Sequence, residues 1–208
     1  MEQTKEKRGL VYTIKDLCRV CYTCVRECPA IVAFVEKYHP GLIGSLVPVV
    51  SPMVATARYI RQVKESGARL VFVGPCIAKK EESEEVDEVI TFTELRSMFT
   101  SKRIRVSSVE PAEFATPLAR KGAGFPVSRG LLQSMTLKGN NVDQRVIVAE
   151  GRVHFQDAIR EYASGSLGSM QLELLCCEGC TMGPGTSPNG KKFIRRKQVL
   201  NHLHHRLN

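Results

Sequence analysis

Eight cysteines stand out in this chain, and half of them fall in one short run. Cys18, Cys21, Cys24 and Cys28, with Pro29 behind them, follow the spacing C-x2-C-x2-C-x3-C-P. Spacers this short turn successive thiolates inward from one tight loop, the arrangement that holds a ferredoxin-type [4Fe–4S] cluster. Backbone N–H groups of such a loop can donate to the cluster sulfurs and offset their negative charge. The alternatives are a zinc site or buried free thiols, and zinc more often takes two separated Cys/His pairs. In two-cluster ferredoxins the fourth thiol of the run serves the other cluster. The chain has no second run, so Cys28 either closes the first cluster in a less usual way or is available to another site.

The other four cysteines are dispersed. Cys76 lies in GPCIAKKEE, and Cys176, Cys177 and Cys180 lie in ELLCCEGCTMGPG. Cys177-x-x-Cys180 is a chelating pair, and the glycines beside it allow close backbone approach to a cofactor. Cys76 adds a metal donor from a distant loop. Lys79 and Glu82 follow it at helical spacing; they read either as a surface ion pair or as groups that hydrogen-bond and orient an anionic cofactor. His202, His204 and His205 read as polar residues of the tail, and the methionines, which form no helical stripe, as core filler.

These donors need elements to carry them. Leu10–Ile14, Arg69–Val73, Glu88–Phe92, Arg145–Ala149 and Gln171–Cys176 are short apolar runs that predict strands. Helices are expected over Ala30–Tyr38, stopped by His39-Pro40-Gly41, and from Ser51-Pro52, an N-cap and N1 pair, to about Lys64. Further helices are expected from Thr93 and over Asp157–Ala163. Glu81–Glu88 reads as a solvated acidic helix or loop, and 103–130 has no clear assignment. Strands alternating with helices predict an α/β domain with mainly parallel strands. Cys76 and the Cys177–Cys180 pair then fall just past the C-terminal ends of strands, where open α/β sheets place their ligands.

The chain has 208 residues, 43% of them hydrophobic, which excludes wholesale disorder and fibrous classes. The charged stretch Met1–Gly9 has no apolar segment behind it, which argues against a secretory signal. No apolar run approaches the roughly 18–20 residues that a membrane helix needs. The expectation is a cytoplasmic protein, where clustered thiols more often hold metal than form disulfides. Net charge is +9, and no acidic residue follows Glu178 while Lys191, Lys192, Arg195, Arg196, Lys197 and Arg206 do. The simplest reading is a solvated basic tail. Docking to an acidic redox partner is the sharper one, and nucleic acid is not expected.

The dispersed set resembles a known family, the C-terminal region of the iron-only ([FeFe]) hydrogenase large subunit. Pro75, Cys76, Lys79 and Glu82 match its signature P-C-x-x-K-x-x-E. Glu173, Cys177, Cys180 and Gly183 look like its third signature, though the pair spacing is one residue shorter than in true hydrogenases. Cys28-Pro29-Ala30 with IVAFVEKYHP behind it looks like the first. LVPVVSPMVATAR (46–58) and the FPVS…GLL stretch (125–132) look like the non-catalytic, sensory branch. The resemblance implies a partial hydrogenase-like parallel-sheet lobe with helices, preceded by a short ferredoxin-type segment. The implied division is a 4Fe–4S segment over 1–30, an α/β domain over 31–190 and a basic tail over 191–208.

The resemblance also implies ligands. Cys28, Cys76, Cys177 and Cys180 would hold a [4Fe–4S] subcluster, and Lys79 would contact a cyanide of a two-iron centre. One Cys-Pro-Ala stands where the family has two, which suggests an internal deletion that removed the first lobe. Cys28 is then claimed twice. Giving it to the ferredoxin run leaves Cys76, Cys176, Cys177 and Cys180 for a second cluster, and neighbouring residues on a strand point oppositely. Giving it to the dispersed set leaves only three cysteines in the run. The first partition is the expectation for the ferredoxin cluster.

Three functions compete. An iron–sulfur redox protein, in electron transfer or in redox or H2 sensing, needs one [4Fe–4S] cluster, with a second possible, and a redox or signalling partner. A hydrogenase needs a two-iron centre, which is not expected here: position 27 is Glu where a proton-delivering thiol would stand. A basic binding module with structural zinc is the third.

Overall fold

The structure is a computed structural model, and it describes residues 28–48, 50–64, 67–82, 84–114, 119–130 and 145–207. Cys18, Cys21 and Cys24, and the expected strand Leu10–Ile14, lie outside the described residues. Two parallel strand pairs organise the rest. Strand β1 (Val71–Gly74) pairs with β2 (Glu88–Thr91), Val71 opposite Glu88. Strand β3 (Val146–Glu150) pairs with β4 (Gln171–Leu175), Val146 opposite Gln171. The α/β class and the parallel sense agree with the sequence pattern.

Helix α1 (Pro29–Tyr38) starts where Cys28 serves as N-cap and Pro29 takes the first turn, whose N–H would have no helical partner. Its buried stripe is Ile31 and Val35. It stops at His39, before Pro40. Helix α2 (Pro52–Tyr59) is capped by the buried Ser51 side chain, which accepts from the Val54 N–H, and runs on as a π turn over Ile60–Lys64. Helix α3 (Phe92–Ser101) opens on a capping box: the Thr91 side chain accepts from the Glu94 N–H, and the Glu94 carboxylate accepts from the Thr91 N–H.

Helix α4 (His154–Ala163) crosses between β3 and β4 and lays Phe155, Ala158 and Ile159 inward. These meet Ile31, Val35, Ala149, Leu172 and Leu174 in one core. A second core of Met53, Val54, Ala57, Leu70, Val86 and Val89 lies between α2 and the β1–β2 pair.

The acidic stretch Glu81–Glu88 leaves the short 3₁₀ turn Ala78–Glu81 and, over its described residues, runs as turns and bends into β2, in keeping with the loop reading. Two local expectations change. Strand β4 ends at Leu175, so Cys176 leaves the strand. The basic stretch read as a solvated tail is helix α5 (Lys192–Leu207), which packs on the 3₁₀ turn Arg120–Gly124. Among the described residues no helix is long and apolar enough to cross a membrane.

Candidate iron–sulfur site

Three chain segments deliver thiols to one place. Cys28 sits at the N-terminus of α1, Cys76 just beyond β1, and Cys176 and Cys177 just beyond β4. Cys28 and Cys176 both pack against the β3–β4 core. Burial pushes the Cys28 thiol up, while the backbone N–H groups of Cys176 and Ile31 pull the other way, and the Cys176 and Cys76 thiols act on it electrostatically. The Cys177 thiol donates a hydrogen bond to the Cys176 sulfur, which brings Cys176 down to about 6; Arg152 adds to the lowering. Cys177 is raised by that same bond and by burial, and it also feels Cys28 and Cys76.

Cys28, Cys76, Cys176 and Cys177 are thus near enough to act on one another's thiols. Cys180 lies one turn further on, at the start of the 3₁₀ turn Cys180–Met182, with its N–H donating to the Pro126 carbonyl at 2.9 Å. The inclusion of Cys176 departs from the sequence argument. Opposed side-chain directions hold only while the chain is extended, and the strand stops before Cys176, so the bend turns its thiol toward Cys177. The signal that finds Cys176 in the sequence is the glycine-rich bend it enters, not the strand it leaves.

The second signature is held from both sides. Gly183 and Gly185 press on the backbone of Pro75: the Gly185 N–H donates to the Pro75 carbonyl at 2.9 Å, and a Cβ at Gly183 would overlap that same oxygen. The closeness that glycine allows here serves the join between the Cys76 loop and the loop after Cys180. Thr93 closes the other side, its N–H and hydroxyl donating to the Gly185 carbonyl at 3.1 and 3.2 Å.

Lys79 lies in the 3₁₀ turn beyond Cys76 and is buried, its Nζ 2.6 Å from Glu82 and 5.9 Å from the Phe72 ring centroid. The surface-pair alternative for Lys79 and Glu82 gives way to a buried ion pair, because the turn they occupy packs against α1. Glu173 is buried on β4, opposite Val148 in the parallel register. Behind the Cys177–Cys180 bend, Glu150 contacts the Ser128 hydroxyl and pairs with Lys192 at 2.9 Å. Burial opposes its charge, yet Ser128 and Lys192 hold its carboxyl below the usual range.

The donors brought near one another here are sulfur, the donor set of iron–sulfur clusters. Among the described residues no group of three His, Cys, Asp or Glu side chains is close enough to hold a metal ion, so what fits a cluster here is the chemistry of the donors, thiols from three separate loop ends.

Comparison with known proteins bears on the family and the fold. The family model for the iron-only hydrogenase large subunit, C-terminal domain, matches residues 4–184. No curated protein sequence matches the chain. Among solved structures, an [FeFe]-hydrogenase HydA(deltaEFG), described for stepwise H-cluster assembly, superposes with a TM-score of 0.68 at 18% identity, covering 90% of this chain and 67% of that one. The apo [FeFe]-hydrogenase HydA1 of Chlamydomonas reinhardtii gives a TM-score of 0.64 at 18% identity, covering 86% of this chain and 65% of that one. At that identity the likeness is one of fold. The chain spans about two thirds of the length of these structures.

Proposed function

The chain belongs to the iron-only hydrogenase large-subunit family, matched by its C-terminal domain, and from that membership we propose that it is an iron–sulfur protein acting in electron transfer or redox sensing. The observation that carries this reading is that Cys28, Cys76, Cys176 and Cys177, from three chain segments, stand within electrostatic reach of one another. When bound, a [4Fe–4S] cluster supplies one-electron storage and transfer. The chain's part is to hold it. Cys28, Cys76 and Cys177 are the ligands of this site, and Cys176 and Cys180 are the two candidates for the fourth position. The N–H groups of Cys176 and Ile31 favour a charged sulfur at Cys28, and Lys79, fixed by Glu82, is the buried cation beside the Cys76 loop.

This reading gives Cys28 to the dispersed site, the opposite of the partition that spacing alone favours. Of the ferredoxin-like run, Cys18, Cys21 and Cys24 are then the thiols left over. A cytoplasmic location and a redox or signalling partner complete the proposal, in keeping with the sensory-branch likeness of 46–58 and 125–132.

Anaerobic reconstitution followed by iron and acid-labile sulfide counts tests it. About four of each per chain is expected for one cluster and about eight for two. C76S should remove the dispersed cluster and leave any N-terminal one. Zinc in place of iron, or a C76S spectrum identical to that of the unsubstituted protein, overturns the assignment. A hydrogen-converting enzyme is the second reading, favoured by the intact Cys76–Lys79–Glu82 signature with its lysine buried. Carbon monoxide and cyanide bands in the infrared would establish it.

A further inference from the structure

The loop that follows Cys180 is gripped by one side chain. Helix α5 presents Arg195 to residues 181–187. Its Nη1 donates to the Thr181 carbonyl at 2.8 Å and the Thr186 Oγ1 at 2.7 Å, and reaches Met182 Sδ at 3.8 Å. Its Nη2 donates to the Ser187 carbonyl at 2.5 Å and Ser187 Oγ at 2.7 Å. Gly190 leaves room for the guanidinium, which a Cβ there would overlap. Three residues before Arg195, Lys192 pairs with Glu150 at 2.9 Å and reaches Glu178, inside the Cys177–Cys180 element, at 3.6 Å. The same loop is tied to the Cys76 side through Gly185 and Pro75.

We propose that Arg195 is a positioning residue that latches the 181–187 loop onto α5, fixing the Cys177–Cys180 element against the Cys76 loop and setting how firmly the chain retains its iron–sulfur cluster. The proposal rests on the reading of the preceding subsection. The chemistry favours arginine. A planar fork bonds several acceptors at once, whereas an ammonium is a single point donor and cannot span Thr181 and Ser187 together. Two of the acceptors are backbone carbonyls of a loop without strand or α-helix partners, so the guanidinium completes their hydrogen bonding. These acceptors are neutral, so the full positive charge stays beside the loop. Groups that orient ligands from behind in this way are worth on the order of 10–100-fold in metal affinity.

The test compares the unsubstituted chain with R195A, R195K and T186V after anaerobic reconstitution with iron and sulfide. It reads the rate of iron release to a ferrous chelator and the cluster's reduction potential. R195A is expected to release iron about tenfold faster and to shift the potential negative, because positive charge near a cluster favours its reduced form. R195K should restore the charge and much of the potential but leave release fast. T186V, which removes one acceptor of Arg195 together with the hydroxyl's own bond to the Gly183 carbonyl, should move release in the same direction by less. Unchanged release and potential in R195A overturn the proposal; if R195A does not fold, unchanged release in both R195K and T186V does so. Failure of the unsubstituted protein to take up iron would sink the iron–sulfur reading instead. The latch is then read in the apo chain, where R195K should speed amide hydrogen exchange over 181–187 and leave β1–β2 unchanged; equal protection in that loop overturns it.

Discussion

The two strand pairs place their thiols by different physics. Strand β4 is buried along nearly its whole length, with Leu172 at 2% and Leu174 at 4% exposure. It runs out into Cys176 and Cys177 from the middle of an apolar core. Strand β1 begins at a half-exposed Val71, 51% open to solvent, and its neighbourhood is held by charge. Arg58 pairs with Glu85 at 2.6 Å, Arg61 with Asp87 at 2.9 Å, and Asp87 also accepts from the Leu70 N–H at 2.6 Å. Cys76 follows this second kind of strand, with the buried Lys79–Glu82 pair behind it. A site assembled from both halves thus has one wall set mainly by packing and one in which charge pairs add to a smaller apolar core. The first should resist salt and pH; the second should answer to them.

The largest expected effect is on the packed half. Phe155 is 3% exposed and meets Phe34 edge-on at 5.1 Å, against the core that carries Cys28 and Cys176. Phe155→Ala should cost about 3–5 kcal/mol, with the loss unchanged by salt. Chemical denaturation at low and high ionic strength checks it. A loss of well under about 1 kcal/mol would mean that the β3–β4 half is loosely packed and that the contrast fails on its stronger side.

On the charged half the corresponding change is at Lys79. Removing one member of a buried ion pair costs about 3–5 kcal/mol, because the remaining charge is stranded. Lys79→Met leaves the half-buried Glu82 without its 2.6 Å partner. K79M combined with E82L should recover most of the loss, since replacing both charges by apolar groups is often neutral. Equal destabilisation in the single and double variants would make shape, not charge, the reason for the pair.

Much of this contrast was legible in the sequence, for local reasons. The four strand runs within the described residues, the Ser51-Pro52 start of α2 and the parallel sense all rest on short-range pattern, and the structure has them. Two features rested on context beyond the residues themselves. Cys176 depends on where β4 stops, and one residue of extra strand would turn its thiol away. The basic C-terminal stretch has charges enough to be solvated, and only the acceptors of the 181–187 loop give Arg195 a reason to fold inward. The nearest sequence hint was the absence of acidic residues after Glu178, which leaves α5 to find its carboxylates elsewhere, at Glu150 and Glu178.

A smaller effect belongs to the surface. Arg58 and Glu85 are 44% and 41% exposed, and the guanidinium and carboxylate meet through two bonds at 2.7 and 2.6 Å. Each shifts the other: Glu85 holds the Arg58 guanidinium higher and Arg58 holds the Glu85 carboxyl lower. Solvent screening limits exposed pairs to about 0.2–1 kcal/mol. Arg58→Ala should therefore lower stability only slightly at low salt, with the difference shrinking as ionic strength rises. A salt-independent loss would assign Arg58 a packing role on α2 instead.

The subtlest effect is a pH window at the α3 cap. Glu94 bonds Lys80 at 2.5 Å and accepts from the Thr91 N–H at 2.7 Å and the Thr91 hydroxyl at 2.8 Å. Lys80 first, and then Thr91, bring its carboxyl from the usual 4.5 down to about 2. A carboxyl lowered on folding binds fewer protons folded than unfolded between those two values, so stability falls as acid is added across that range. The contribution is whole above about 4.5 and fades as pH drops towards about 2. Glu94→Gln keeps an acceptor for the cap but removes the charge. Its melting temperature should lie below that of the unsubstituted protein at pH 6, and the gap should narrow steadily through acid. A gap that stays constant from pH 6 down to pH 2.5 would show that Glu94 works through its hydrogen bonds alone, and that electrostatic control of the β1–β2 half stops short of α3.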